Sequence, residues 1–294
     1  MDALILAATA ALSLFPYFLL ALALFLLGKY FFDWTTPRID DNKELTVRDN
    51  PAFGVLLAGY LLGLGLALGA SLLQLSPSPW QNLRDIATSG IASIVLLRLS
   101  LLIGDALILR PFGINDEIVR DRNLGVGLAF GGLMTAGGLV TAGVMSGSSS
   151  GYLTMLRDIG VYWLLGQAFL LAAWLLFRLV SRIDLGSELG ERDNPAAGLS
   201  LAGFFIAAGI VLRAALTGAG SQLGSELLVS LALAVLGLLV LGLARGLVSL
   251  VLLPRSNVAD EIGAQKNTAA AVVTAVGSIA VALLYAALVG SQVG

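Results

Sequence analysis

Four carboxylates recur in this chain at a spacing that invites acid–base or ion-binding chemistry. Each opens a short phrase: Glu44-Leu-Thr-Val-Arg-Asp-Asn50, Glu117-Ile-Val-Arg-Asp-Arg-Asn123, Glu188-Leu-Gly-Glu-Arg-Asp-Asn194 and Glu261-Ile-Gly-Ala-Gln-Lys-Asn267. Every glutamate stands six residues before an asparagine, and a small-residue apolar run follows. A second set of charges, Arg98, Asp105 and Arg245, falls inside apolar stretches. An ionisable group at membrane depth is a functional candidate, because its cost forces it toward a bundle interior or water. Arg98 and Asp105 share a helix face two turns apart. The sequence predicts a buried network of these three residues, either pairing two halves of the chain or forming a polar step for an ion or small solute.

Other chemistry is excluded by composition. The chain has no cysteine and no histidine, which removes thiolate nucleophiles, the commonest general base and the commonest transition-metal ligand. An enzyme would have to work through Glu44, Glu117, Glu188 or Glu261. Four near-equal acids resemble symmetry, not an acid and a base with separated pKa values. The chain is therefore read as no enzyme, with no cofactor and no metal site. Its net charge of −2 gives no reason to expect nucleic acid.

The asparagines read most simply as helix N-caps. Asn50 and Asn194 are each followed by proline, the residue favoured at the first helical position; Asn123 and Asn267 can cap without it. The constancy of the glutamates implies a constant neighbour, expected to be a base of the following loop or the adjacent repeat: Arg48, Arg120, Arg122, Arg192 or Lys266. Two outcomes are open: a ring of ion pairs locking the helix ends, or an acidic vestibule over a pore.

The elements that must position these groups follow from the period. The asparagines are 73, 71 and 73 residues apart (123 − 50, 194 − 123, 267 − 194), so one unit is copied four times. The 294 residues are 57% hydrophobic and 12% charged, against about 25% charged for soluble domains. Runs long enough to cross a bilayer fall at 4–31, 51–74, 87–109, 124–146, 160–181, 195–217, 227–252 and 268–289. The first is read as a membrane helix and not a signal peptide, since no basic leader precedes it.

The expected fold is an all-α membrane protein of eight transmembrane helices, arranged as four parallel two-helix repeats. Motif variants alternate, so the chain divides into two pseudo-equivalent halves, 1–146 (repeats 1–75 and 76–146) and 147–294 (repeats 147–218 and 219–294). Two spans per unit bring every motif loop to one face. Ten bases gather there, among them Arg38, Lys43, Arg110, Arg182 and Arg255, whereas the opposite connections hold only Arg84 and Arg157. The positive-inside rule then places the motif loops in the cytoplasm and both termini outside. Tyr30, Phe31, Phe32 and Trp34 are expected in an inner aromatic belt, with Trp80, Tyr152, Tyr162 and Trp163 near the outer interface. Lys29, Arg178 and Arg213 are expected to snorkel. Four and eight residues beyond the asparagines stand Gly54 and Ala58, Gly127 and Gly131, Gly198 and Ala202, and Ala271 and Ala275. Such stripes let backbones approach closely, so the second, fourth, sixth and eighth spans are expected inside, surrounded by the other four.

These residues carry a resemblance. Glu-Ile/Leu, four residues, then Asn-x-Ala/Gly-x-Gly opening a small-residue helix is similar to the bacterial inner-membrane family known as domain of unknown function 350, which includes the YjfL-like proteins. Leu83-Arg-Asp-Ile86 and Leu156-Arg-Asp-Ile159 fit as well, and the likeness covers nearly the whole chain as tandem copies. It implies a bacterial inner-membrane protein without an established reaction, associated with envelope-stress proteins of the phage-shock kind and with polyamine-related enzymes. The fourth copy departs, with Ala271 for glycine and no proline after Asn267.

Two functional expectations follow. One is a channel or transporter-like protein, its charged loops at the mouth and Arg98, Asp105 and Arg245 inside. The other is a non-conducting scaffold, a membrane partner in envelope-stress response. Beyond the lipid bilayer, the reading leaves room for a cytoplasmic protein partner at the motif loops and for a homo-oligomer.

Overall fold

The structure, a computed structural model, describes residues 2–147, 151–218, 223–252 and 257–293. Arg255, one of the bases counted above, lies outside them. The eight expected spans are present as α1 (Asp2–Thr35), α2 (Pro51–Leu72), α3 (Pro79–Ile103), α4 (Leu124–Met145), α5 (Tyr152–Ser181), α6 (Pro195–Leu216), α7 (Leu223–Leu252) and α9 (Thr268–Val293). All eight are long and apolar enough to cross a membrane. The motif loops contain single wide turns at Lys43–Val47, Ile114–Arg120 and Gly186–Glu191, and the short helix α8 (Val258–Ile262) in the fourth copy.

The second helices of the four repeats pack as a row, α2 on α4, α4 on α6 and α6 on α9. Lipid offers no hydrophobic drive for helix association, so close van der Waals contact between backbones must hold the row. It does so through small residues. A Cβ added at Gly59 would overlap the Gly131 backbone, one at Gly138 the Gly63 backbone, and one at Gly132 the Cα of Ala202. Between α6 and α9, Gly203 meets Ala275 in the same way. The first helices form a second row, α1 beside α3 and α5 beside α7, laid against one face of the first. Leu97, Leu170, Phe177 and Leu241 are buried between the rows.

This layering corrects the expectation of four inner helices surrounded by four outer ones. Of the four, only the middle pair is enclosed: 89% of the most apolar stretch of α4 and 72% of that of α6 are buried, against 50% for α2 and 33% for α9. The reason lies in the stripe itself. Gly127 and Gly131 abut α2, Gly198 abuts α4, and Ala275 abuts α6, so each stripe meets the preceding repeat. In the first copy, a Cβ at Gly65 or Gly69 would meet nothing among the described residues. The other face of the row is an open apolar groove of about 330 Å³, bounded by α2 and α9 with α4 and α6 as its floor.

The aromatic belts hold in part. Tyr30, Trp34 and Trp80 are exposed, but Phe32, Tyr162 and Trp163 are buried in the core; the Tyr152 side chain lies outside the described set. Phe32 turns inward to pack on Tyr60, with the rings tilted and their centroids 4.8 Å apart.

The row predicts opposite outcomes for two glycines. Gly138→Val should lower unfolding stability by about 1–3 kcal/mol, the usual cost of overpacking, whereas Gly65→Val should leave it unchanged. Denaturant titration in mixed micelles measures both.

Candidate functional site: the chain of motif loops

In each loop the backbone N–H of the asparagine donates to the carbonyl of the glutamate six residues earlier, at 2.8–2.9 Å. To close that turn, the residue before the asparagine is left-handed in every copy: Asp49, Arg122, Asp193 and Lys266 have φ of 48°, 56°, 49° and 51°. None is glycine, so each repeat carries some backbone strain that the surrounding bonds offset.

The two side chains then meet. The asparagine Nδ2 donates to the glutamate Oε2 in all four copies, at 2.9 Å (Asn50–Glu44), 3.0 Å (Asn123–Glu117), 2.7 Å (Asn194–Glu188) and 2.8 Å (Asn267–Glu261). The asparagine Oδ1 accepts from the first turn of the next helix: from Phe53, Val126, Ala196 with Ala197, and Ala270. The expected N-caps are therefore present. The glutamate's constant partner is its own asparagine, which corrects the expectation of a base. Bases join only in alternate copies, Arg48 to Glu44 at 2.8 Å and Arg192 to Glu188 at 2.5 Å. Copies two and four have Asp121 and Gln265 at that register, and their glutamates form no ion pair among the described residues. Burial pushes the Glu117 carboxyl above its ordinary range; Asp121 and Asp193 add to the rise, and the bond from Asn123 opposes it.

The same asparagines link each repeat to the next. Nδ2 of Asn50 donates to the Ile118 carbonyl at 2.8 Å, that of Asn123 to Leu189 at 2.5 Å, and that of Asn194 to Ile262 at 2.8 Å. Asn123 also reaches Asp193 at 2.7 Å. In return Arg122 donates to the Arg48 carbonyl at 3.0 Å, and Lys266 donates to the Arg192 carbonyl. The four loops thus form one hydrogen-bonded strip, and all four lie at the same end of the helices. Their outer surface is charged, with Arg38, Lys43, Arg120, Arg122, Glu191 and Lys266 exposed.

Of the expected network, Asp105 acts electrostatically on Arg98, while Arg245 is bound in the other half of the chain. Arg98 donates to the carbonyl of Thr35, the last residue of α1, at 2.8 Å and lies over the Phe32 ring. Arg245 donates to the Ser200 hydroxyl at 2.8 Å over the Phe177 ring. One cation therefore serves each half. Asp105 sits in the wide turn that ends α3, where it accepts the Ile114 N–H at 3.1 Å. Since α3 ends at Ile103, Arg98 lies near the loop end of that helix. A cation closing the carbonyl end of a neighbouring helix is favourable there.

Lys29, expected to snorkel, is held near the helix end by Asp33 and by Asp41 at 2.5 Å. The i, i+4 spacing to Asp33 was the available signal; the link to Asp41 needs the loop to fold back. Arg178 lies over Trp174. Gln167, buried on α5, was not singled out by the sequence, and neither amide atom finds a partner among the described residues.

With this geometry in place, comparison with known proteins is decisive on kinship. The family model described as Domain of Unknown Function (DUF350) matches residues 5–145 and again 151–289. The chain belongs to the DUF350 family. A UPF0719 transmembrane protein of Aquifex aeolicus (strain VF5) is 30% identical over 196 residues, covering 64% of this chain and 70% of that protein. No solved structure matches. The chain is thus a multi-pass membrane protein carrying the DUF350 unit in tandem, and its loop strip is a feature of that unit's geometry here.

The bonding predicts unequal asparagines. Asn194→Ala removes a cap, the bond to buried Glu188 and two carbonyl contacts, and should cost about 2–3 kcal/mol. Asn267→Ala, at the end of the strip, should cost about 1 kcal/mol. Equal losses in micellar unfolding would contradict this assignment.

Proposed function

We infer that this DUF350 protein is a non-conducting, non-catalytic membrane platform whose strip of motif loops docks a soluble protein at the cytoplasmic surface of a bacterial inner membrane. The observation that carries this reading is the backbone contact along the inner row. Where Gly59 meets Gly131, Gly63 meets Gly138 and Gly132 meets Ala202, helices touch without side chains between them, leaving no room for a polar path within the row. Arg98 and Arg245, the groups that would form a polar step, are engaged in separate halves with a helix end and a hydroxyl.

The loop strip supports docking. Its shape is held by bonds within and between repeats, so its exposed charges are displayed on a rigid surface, which reduces the ordering cost of binding. The gathering of bases at this end supports a cytoplasmic orientation, with both termini outside. The envelope-stress context implied by the family resemblance fits a partner of this kind.

Reconstituted liposomes test the proposal. Fluorescent indicators for protons, potassium and chloride should report no flux above empty liposomes, and reversing Arg38 and Arg120 to glutamate should abolish cross-linking of a defined cytoplasmic partner without unfolding the protein. Sustained, protein-dependent flux of any of these ions would overturn it.

A further inference from the structure

We propose that a second copy of this chain joins the first head to tail, the α9 edge of one copy packing on the α2 edge of the next. The argument is continuity: one interface is used three times within the chain, and its two halves are left open at the ends of the row. Each repeat offers a trailing edge to the next repeat's leading edge. Thirteen residues beyond the asparagine on the trailing side stand Gly63, Ala136 and Ala207; fifteen beyond on the leading side stand Gly138, Gly209 and Ala282. A Cβ at Gly209 would lie 2.7 Å from Ala136 Cα, and Ala282 is fully buried. The open counterparts are Ala280 on α9 and Gly65 on α2, both exposed.

The loops at the two ends make an independent case. Ile118, Leu189 and Ile262 follow their glutamates, are at or near zero exposure, and lend their carbonyls to the preceding asparagine. Their counterpart in the first copy, Leu45, is 41% exposed. At the other end, among the described residues, the Asn267 Nδ2 reaches only Glu261. The repeats also alternate in the right phase. Where an even copy meets an odd one, the amide of Asn123 reaches the Leu189 carbonyl and the Asp193 carboxylate. A fourth copy meeting a first copy is the same kind of junction, and the first copy carries Asp49, left-handed like Asp193 and exposed. Asn267 would therefore reach the Leu45 carbonyl and Asp49 of a second copy.

One position differs. Gly59, Gly132 and Gly203 face the next repeat nine residues beyond each asparagine, and Val276 takes that place in the fourth. Its side chain holds the backbones further apart than at the three internal junctions, so this junction is the looser one and separates first. A head-to-tail contact closes into a ring when its rotation permits, and a ring built this way turns the loop strip into a continuous circle of loops.

The absence of cysteine makes a direct test available. Chains carrying Gly65→Cys and chains carrying Ala280→Cys are co-expressed and oxidised in native membranes. The proposal expects a disulfide-linked dimer from the mixture and none from either variant alone, because facing Cβ atoms fall within disulfide reach only across the α9–α2 junction. Val276→Gly should raise the dimer yield, and Gly54→Leu should abolish it while the monomer stays folded. Dimers from Gly65→Cys alone would indicate α2 pairing with α2 and overturn the proposal. So would an intrachain disulfide in a chain carrying both cysteines, or no cross-link at all.

Discussion

The structure depends on one side-chain amide placed four times. Each asparagine satisfies the first turn of a membrane helix through its oxygen, and through its nitrogen it binds its own glutamate; in the first three copies it also binds the next repeat's backbone. In lipid an unpaired backbone donor is costly, so a helix entering the bilayer must be capped at its mouth. A carboxylate buried beside that cap needs donors of its own. The Asn–Glu pair meets both requirements at once, and the left-handed residue before the asparagine brings the two side chains together.

From that constraint the rest of the architecture follows. Linked loops fix the helices in register, and register brings glycine opposite backbone along the whole inner row. Because each link runs from one repeat to the next, the natural product is a row and not a closed bundle. One face of the row packs on the second set of helices, and the other forms an apolar groove between α2 and α9. A protein built this way is rigid at the loop end, tightly closed between inner helices, and open at its two edges, which is why it suits a platform better than a conduit.

Much of this was legible in the sequence. The period, the eight spans, the shared side of the loops and the N-caps all rest on signals of one residue type at one spacing. The partner of the glutamates was not legible, because contact six residues along depends on a left-handed residue, and Asp49, Arg122, Asp193 and Lys266 hide what a glycine would have announced. The start of the third span was not legible, because its apolar run begins near residue 87 while Pro79 starts the helix eight residues earlier, in a polar first turn. The small-residue stripe announced close packing without saying which repeat it faces. Only the packing shows that it faces backward, and in the first copy a Cβ at Gly65 or Gly69 would meet nothing among the described residues.

The central claim is that four loops with one bonding pattern lie side by side at one surface. Single cysteines introduced at Lys43, Arg120, Glu191 and Gln265 in this cysteine-free chain, labelled with a membrane-impermeant maleimide in sealed vesicles of known orientation, test it most directly. All four should label from the cytoplasmic side alone. Labelling of any one of them from the opposite side would contradict the account.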